Sequence, residues 1–218
     1  MLGRIGVIGD IHSQNRALRA AIGLLQKLDL PIFCTGDVVD GDGDVHECIR
    51  LLTENRIATV LGNHDEWMLK GLVRDPIDVR IGLGNITHAT KIEELSGSEV
   101  AFVRSLPRTL PLSTVYGNIL LCHGVGENNM NKVNPDDYGY SIEVNDDLQK
   151  LIVERKHRLI INGHSHKKMV KDISGLVIVN AGALTRDPGF LVIDFSEQVV
   201  HFHVLHKSGS KVEMSTAF

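Results

Sequence analysis

Three short apolar runs in the first 65 residues, at 4–9, 32–35 and 57–61, alternate with two segments of helical periodicity, and this alternation restricts the fold more than any other feature. In the first intervening segment Leu18, Ala21, Ile22, Leu25 and Leu28 recur at i, i+3, i+4 and i+7, which puts apolar side chains on one helical face. Ser13 stands where it can cap that helix, and Pro31 follows its end. In the second, Asp44 and Glu47 have capping-box spacing, and Val45, Cys48, Ile49 and Leu52 form one face. Strand, helix, strand, helix, strand describes parallel crossover units and an α/β fold.

Further along, residues 66–73 and 98–106 read as helices, with breaks at Asp75-Pro76, Gly82 and Gly84 between them. Residues 109–116 and 118–122 read as a hairpin around Gly117. Residues 124–140 are polar and read as a loop. Residues 142–155 suit a helix, and 158–162 another strand. After residue 166 the texture changes to short strands at 168–173, 176–180, 189–195 and 198–206, read as an antiparallel meander. With no linker, repeat or low-complexity segment, the expectation is one domain over residues 1–218.

Each apolar run of the crossover region ends in a polar motif, and two further motifs follow. They are Asp10-Ile-His12, Gly36-Asp37-Val-Val-Asp40, Gly62-Asn63-His64-Asp65, His123-Gly124 and Gly163-His164-Ser-His166. The ligand set they offer is two carboxylates (Asp10, Asp37), four imidazoles (His12, His123, His164, His166) and the amide oxygen of Asn63. Asp10 and His12 are two apart, so an extended chain would point both to one side. Asp37 has two oxygens and can serve two cations at once. Asp10, His12, Asp37 and His166 then make one site, and Asn63, His123 and His164 with Asp37 a second. Oxygen and imidazole ligands without thiolate suit Mn, Fe, Zn or Ni better than a structural zinc knuckle.

Two divalent cations against two carboxylates leave a positive pocket that attracts a phosphoryl group. A water shared by cations about 3.5–4 Å apart ionises near neutral pH and can attack phosphorus in line. His64 follows a proposed ligand and should point away from the cation. It is the candidate proton donor to the leaving oxygen, with Asp40 as the carboxylate that fixes its tautomer. Asp65 is expected to support the loop rather than to bind metal.

In order and spacing these motifs resemble the calcineurin-like metallophosphoesterase superfamily, across most of the chain. Asn180-Ala-Gly182-Ala183, leading into residues 189–194, also resembles the tail of its small bacterial and archaeal members. The resemblance implies a four-layer α/β/β/α sandwich of two mixed sheets flanked by helices, the ligand roles given above, and hydrolysis of small phosphodiesters or phosphomonoesters, including nucleotides. The alternatives within the family are a serine/threonine phosphoprotein phosphatase and a dinucleoside-polyphosphate hydrolase. Those members carry an arginine soon after the second motif aspartate, where this chain has Gly41-Asp42-Gly43. Outside catalysis, the same fold can serve as a scaffold or binding subunit.

Composition narrows the partners. A net charge of −4 gives no broad basic surface, which argues against long nucleic acid. No apolar run approaches a membrane span, and the N-terminal residues lack a signal-peptide layout, so a cytoplasmic protein is expected. Cys34, Cys48 and Cys122 have no ligand or disulfide spacing and read as small buried residues. His201 and His203 share a strand face but have no carboxylate pattern beside them, and read as part of a solvated strand. His46, His88 and His157 read as surface residues, Lys167 and Lys168 as a solvated hairpin, and Trp67 and Met68 as helix packing.

Overall fold

The computed structural model describes residues 1–72 and 89–218. The expected breaks at Asp75-Pro76, Gly82 and Gly84, the last residue of the helix expected at 66–73, and the surface placement of His88 lie outside them.

Two mixed sheets lie face to face. The first has the order β11-β10-β9-β1-β2-β3, in which β1 (Arg4–Ile8), β2 (Ile32–Cys34) and β3 (Ala58–Thr59) run parallel. β9 (Gly189–Asp194), β10 (Val199–His206) and β11 (Gly209–Ala217) add antiparallel to its other side. The second has the order β4-β5-β6-β8-β7, built from β4 (Thr109–Thr114), β5 (Gly117–Cys122), β6 (Leu159–Asn162), β7 (Met169–Ile173) and β8 (Leu176–Asn180).

Strand alternation sets the layers. Ile5 and Val7 of β1 and Leu191 and Ile193 of β9 face Ile119, Leu121, Leu159, Ile161, Val177 and Val179 of the other sheet. The intervening residues Ile8, Cys34, Phe190 and Val192 face outward, onto the apolar stripes of α1 (Asn15–Lys27) and α2 (Val45–Glu54). On the far side, Leu120, Cys122, Ile160 and Ile178 meet Leu148 of α6 (Asp146–Glu154). A period of 2 in the strands and 3.6 in the helices thus produces the α/β/β/α order implied by the resemblance. Each large aliphatic side chain buried this way contributes about 1.5–3 kcal/mol.

Several local expectations are corrected. The N-cap of α1 is Gln14, not Ser13: Ser13 adopts φ +57 and its buried hydroxyl has no partner. Asp44 does cap α2, accepting from Glu47 N at 2.9 Å. The Glu47 carboxylate turns instead to Asn15 and Arg19 on α1, so only half the box forms. The strand expected at 57–61 shrinks to two residues, because Leu61 N bonds Pro107 O and leaves the sheet early. α3 (Asn63–Leu69) starts two residues later, three before the expected start at 66. α4 (Gly97–Ser105) begins one residue before the expected 98–106, with Ser96 and Glu99 forming a full capping box.

The helix expected at 142–155 is two pieces, α5 (Tyr140–Glu143) and α6, because Asn145 caps the second by accepting from Leu148 N at 3.0 Å. The C-terminal strands are not one meander: β8 lies parallel to β6, and β9 crosses to pair with β1. Continuous burial of β8 and near-continuous burial of β9 is the mark of interior strands. Polar β11 carries no apolar period, which is why its sequence does not announce it. Among the described residues no helix is long and apolar enough to cross a membrane.

Candidate metal centre

The motif residues sit just beyond the strand ends, most in turns and Asn63, His64 and Asp65 in the first turn of α3. β1 stops at Ile8, and Asp10 makes an isolated bridge to Ala183. His12 reaches the same place by a left-handed turn at φ +46, not by continuing an extended chain. Asp37, Asp40, His164 and His166 are left-handed too, at φ 47, 64, 61 and 57. Such conformations cost about 1–3 kcal/mol each in non-glycine residues. Hydrogen bonds hold them: Asp37 O accepts from Ile11 N and His12 N at 3.0 and 2.8 Å. The Asp65 carboxylate accepts from Val38 N, Val39 N and Gly62 N at 2.8, 3.2 and 3.0 Å, which is loop support.

Two motif glycines are steric necessities. A Cβ at Gly62 would lie 2.1 Å from Asp37 Oδ1, and one at Gly163 would lie 1.9 Å from Asp10 Oδ1. Any side chain there would push a carboxylate off its place.

The seven proposed ligand residues form two groups that share Asp37. In the first, potential ligand atoms of Asp10, His12, Asp37 and His166 all lie within 4.8 Å of one another. His166 Nε2 is 3.0 Å from His12 Nε2 and 3.2 Å from Asp10 Oδ2, and His12 Nε2 is 3.7 Å from Asp37 Oδ2. In the second, Asn63 Oδ1 is 2.8 Å from both His123 Nε2 and His164 Nδ1, and His123 Nε2 is 3.3 Å from Asp37 Oδ2. Thr35 Oγ1 donates to Asp10 Oδ1 at 2.9 Å, and His164 N donates to Asp10 Oδ2 at 2.7 Å.

This arrangement lacks hydrogens where it needs positive charge. His164 Nε2 lies 2.9 Å from Met130 O, which can only accept, so that nitrogen carries the proton. Burial, with His123 nearby, lowers His164 to about 4, so the ring is neutral. Its Nδ1 lone pair therefore faces the Asn63 amide oxygen at 2.8 Å, lone pair against lone pair. Burial also lowers His12, to about 3, despite the pull of Asp37. His123 donates from Nδ1 to Thr35 O at 2.7 Å. Burial opposes its charge, but Asp37 and Asp10 outweigh this and raise it to about 10. Asp37 Oδ2 is buried without a hydrogen-bond donor. The ion partners of Asp10 and Asp37 among the described residues are imidazoles alone. A proton on His123 meets part of this demand. Cations between these oxygen and nitrogen atoms meet all of it, so the donor set fits divalent metal.

His64 stands beside the ligand groups. Its Nδ1 is 2.5 Å from Asp40 Oδ2, and its buried Nε2 has no partner. Its ring is edge-on to His12 and to Trp67, with centroids at 4.9 and 4.8 Å. Burial works against its charge, yet Asp37 and Asp40 raise it above the ordinary histidine value. Asp40 is held in turn by Thr90: Thr90 N donates to Asp40 Oδ1 at 2.7 Å, and Asp40 N donates to Thr90 Oγ1 at 3.1 Å.

Thr35, Thr90 and Met130 are the participants that motif reading misses. Thr35 precedes Gly36 at a strand end and could be flagged by position, whereas Thr90 and the Met130 carbonyl carry no sequence signal. The 124–140 loop joins the site through Met130 O and through Asn129, which donates to Glu66 Oε2 at 2.9 Å. Among the described residues, the histidines outside the motifs lie apart from it. His203 stacks on Phe190 at 4.6 Å, His201 bonds Ser215, and exposed His46 pairs with Glu99. His157 is half-buried. All three cysteines are buried, which pushes the Cys122 thiol up to about 12.

A sequence model of the calcineurin-like phosphoesterase superfamily domain matches residues 4–198. An uncharacterized protein of Methanocaldococcus jannaschii is 26% identical over 185 residues, covering 84% of this chain and 70% of that one. Among solved structures, a hypothetical protein of Pyrococcus horikoshii superimposes with a TM-score of 0.72 at 16% identity, over 94% of this chain and 89% of that one. A metallophosphoesterase of Sphaerobacter thermophilus does so with a TM-score of 0.64 at 22% identity, over the same shares. At these identities the structural likeness speaks for the fold.

Proposed function

The chain belongs to the calcineurin-like phosphoesterase superfamily, and from that premise we propose that it hydrolyses small phosphodiesters or phosphomonoesters with two divalent cations. Asp10, His12, Asp37 and His166 would hold one cation, and Asp37, Asn63, His123 and His164 the other. Bound there, the cations supply Lewis acidity toward phosphoryl oxygens and ionise a water for in-line attack. The observation that carries this reading is the His164 Nδ1 lone pair directed at the Asn63 oxygen, beside a buried Asp37 Oδ2 that faces imidazole nitrogens at 3.3 and 3.7 Å. Hydrogen bonding does not reward that geometry, and cation binding does.

The chain's own residues divide the remaining work. Asp10 and Asp37 set the charge of the pocket and leave it positive once it is loaded, which favours an anionic ester. Asp40 accepts from His64 Nδ1, leaving the Nε2 proton to be delivered to the leaving oxygen. The Asp40 carboxylate beside Nδ1 favours the protonated ring. General acid catalysis of this kind is worth about 10²–10⁴-fold. A cavity of about 270 Å³ adjoins Asp40 and Trp67, both of which touch the His64 ring.

The test is hydrolysis of p-nitrophenyl phosphate and bis(p-nitrophenyl) phosphate by the chelated protein, before and after addition of Mn, Zn, Ni or Fe(II). Turnover that appears only with added metal is expected. No turnover with any of the four would favour a binding role for the fold.

A further inference from the structure

A second cavity, of about 530 Å³, opens beside His166. Two separate segments bring cations to it. The connection from β6 to β7 carries Lys167 and Lys168, and the connection from β8 to β9 carries Arg186. Lys168 is paired, its Nζ lying 2.8 Å from Glu213 Oε2. Lys167 and Arg186 are exposed, and among the described residues neither has a hydrogen-bond or ion-pair partner for its charged group. Asp187 shares the wall, so three cations stand against two carboxylates there.

We infer that this cavity is a subsite for a second phosphate on the substrate, held by the Arg186 guanidinium and the Lys167 ammonium while the scissile phosphate sits at Asp37. This rests on the phosphoesterase reading and sharpens it: the favoured substrate carries a phosphate that is not cleaved. A guanidinium gives such a group two parallel N–H donors, and an ammonium gives a point charge. Both side chains are solvated, so the contribution is moderate and weakens with salt. The site needs no arginine after Asp40, where Gly41-Asp42-Gly43 provides none.

The experiment compares adenosine 3′,5′-bisphosphate with adenosine 5′-monophosphate, by calorimetric binding to the protein as purified and by hydrolysis with added metal. Arg186→Ala with Lys167→Ala should weaken bisphosphate binding about tenfold and raise its KM similarly, with kcat little changed. Monophosphate values should stay within about twofold, and Arg186→Lys should restore part of the loss. Equal effects on both nucleotides, or none on either, would overturn the subsite. If wild-type protein hydrolyses neither nucleotide nor the nitrophenyl esters, the phosphoesterase reading fails, and the calorimetric comparison still decides whether the subsite exists.

Discussion

The two ligand groups around Asp37 are held in different ways. In the group of Asn63, His123 and His164, backbone carbonyls of Thr35 and Met130 hold the rings, so the nitrogens that face Asn63 are chosen before any ion arrives. In the group of Asp10, His12 and His166, the two rings face each other at 3.0 Å, and His12 Nδ1 is buried without a partner. His166 Nε2 has the Asp10 carboxylate at 3.2 Å, but among the described residues none holds His12 Nδ1. Preorganised ligands lose less freedom on binding, so the Asn63 group should fill first and more tightly.

The largest effect should come from breaking the residue common to both groups. Asp37→Asn is expected to lower turnover at least about 10³-fold and to reduce metal content at both positions. Near-normal kcat in that variant would refute a shared role. His64→Ala should cost about 10²-fold or more on esters with poor leaving groups and far less on nitrophenyl esters, read from a leaving-group series. Equal losses across the series would argue against proton donation.

His166→Ala should separate the two groups. Bound metal, measured by elemental analysis, is expected to fall to about one ion per chain with the tighter affinity preserved. Loss of both ions would mean that the groups do not fill independently.

Thr90→Val removes the acceptor for the buried Asp40 N–H, at about 1–3 kcal/mol of stability. Turnover should fall up to about tenfold, again mainly on poor leaving groups, with Thr90→Ser close to wild type.

The smallest effect concerns the metal-free protein. His12 and His164, lowered to about 3 and 4, bind fewer protons folded than unfolded, so stability rises with pH up to about 6.5. His123, raised to about 10, binds more protons folded, so its contribution is full below about 6.5 and is lost as pH rises toward 10. Thermal denaturation of chelated protein should therefore show greatest stability near pH 6.5, and a flat profile from pH 5 to 9 would contradict this.

The crossover half of the chain was legible because each element carries its own period: the stripe of α1, the cap of α2 and the polar stop after each strand. The convergence of the nine motif side chains on one place follows from the same signal, since polar residues at strand ends announce themselves by type and spacing. What escaped depends on long-range pairing. Residues 176–180 and 189–194 read as strands, but their assignment to different sheets is decided by β6 and β1, more than a dozen residues away in sequence. The turn at His12 was misjudged because φ is set by the bonds from its neighbours to Asp37 O, not by local propensity. Met130 acts through a backbone carbonyl that every residue has, and Thr90 through its backbone N–H and a hydroxyl whose partner is fifty residues away.

Anomalous diffraction from crystals grown with Mn tests the central claim most directly. The account predicts two peaks, one on each side of Asp37 Oδ2, contacted by Asp10, His12 and His166 on one side and by Asn63, His123 and His164 on the other, with His64 contacting neither. Peaks elsewhere, or a peak bound through His64 Nε2, would contradict it.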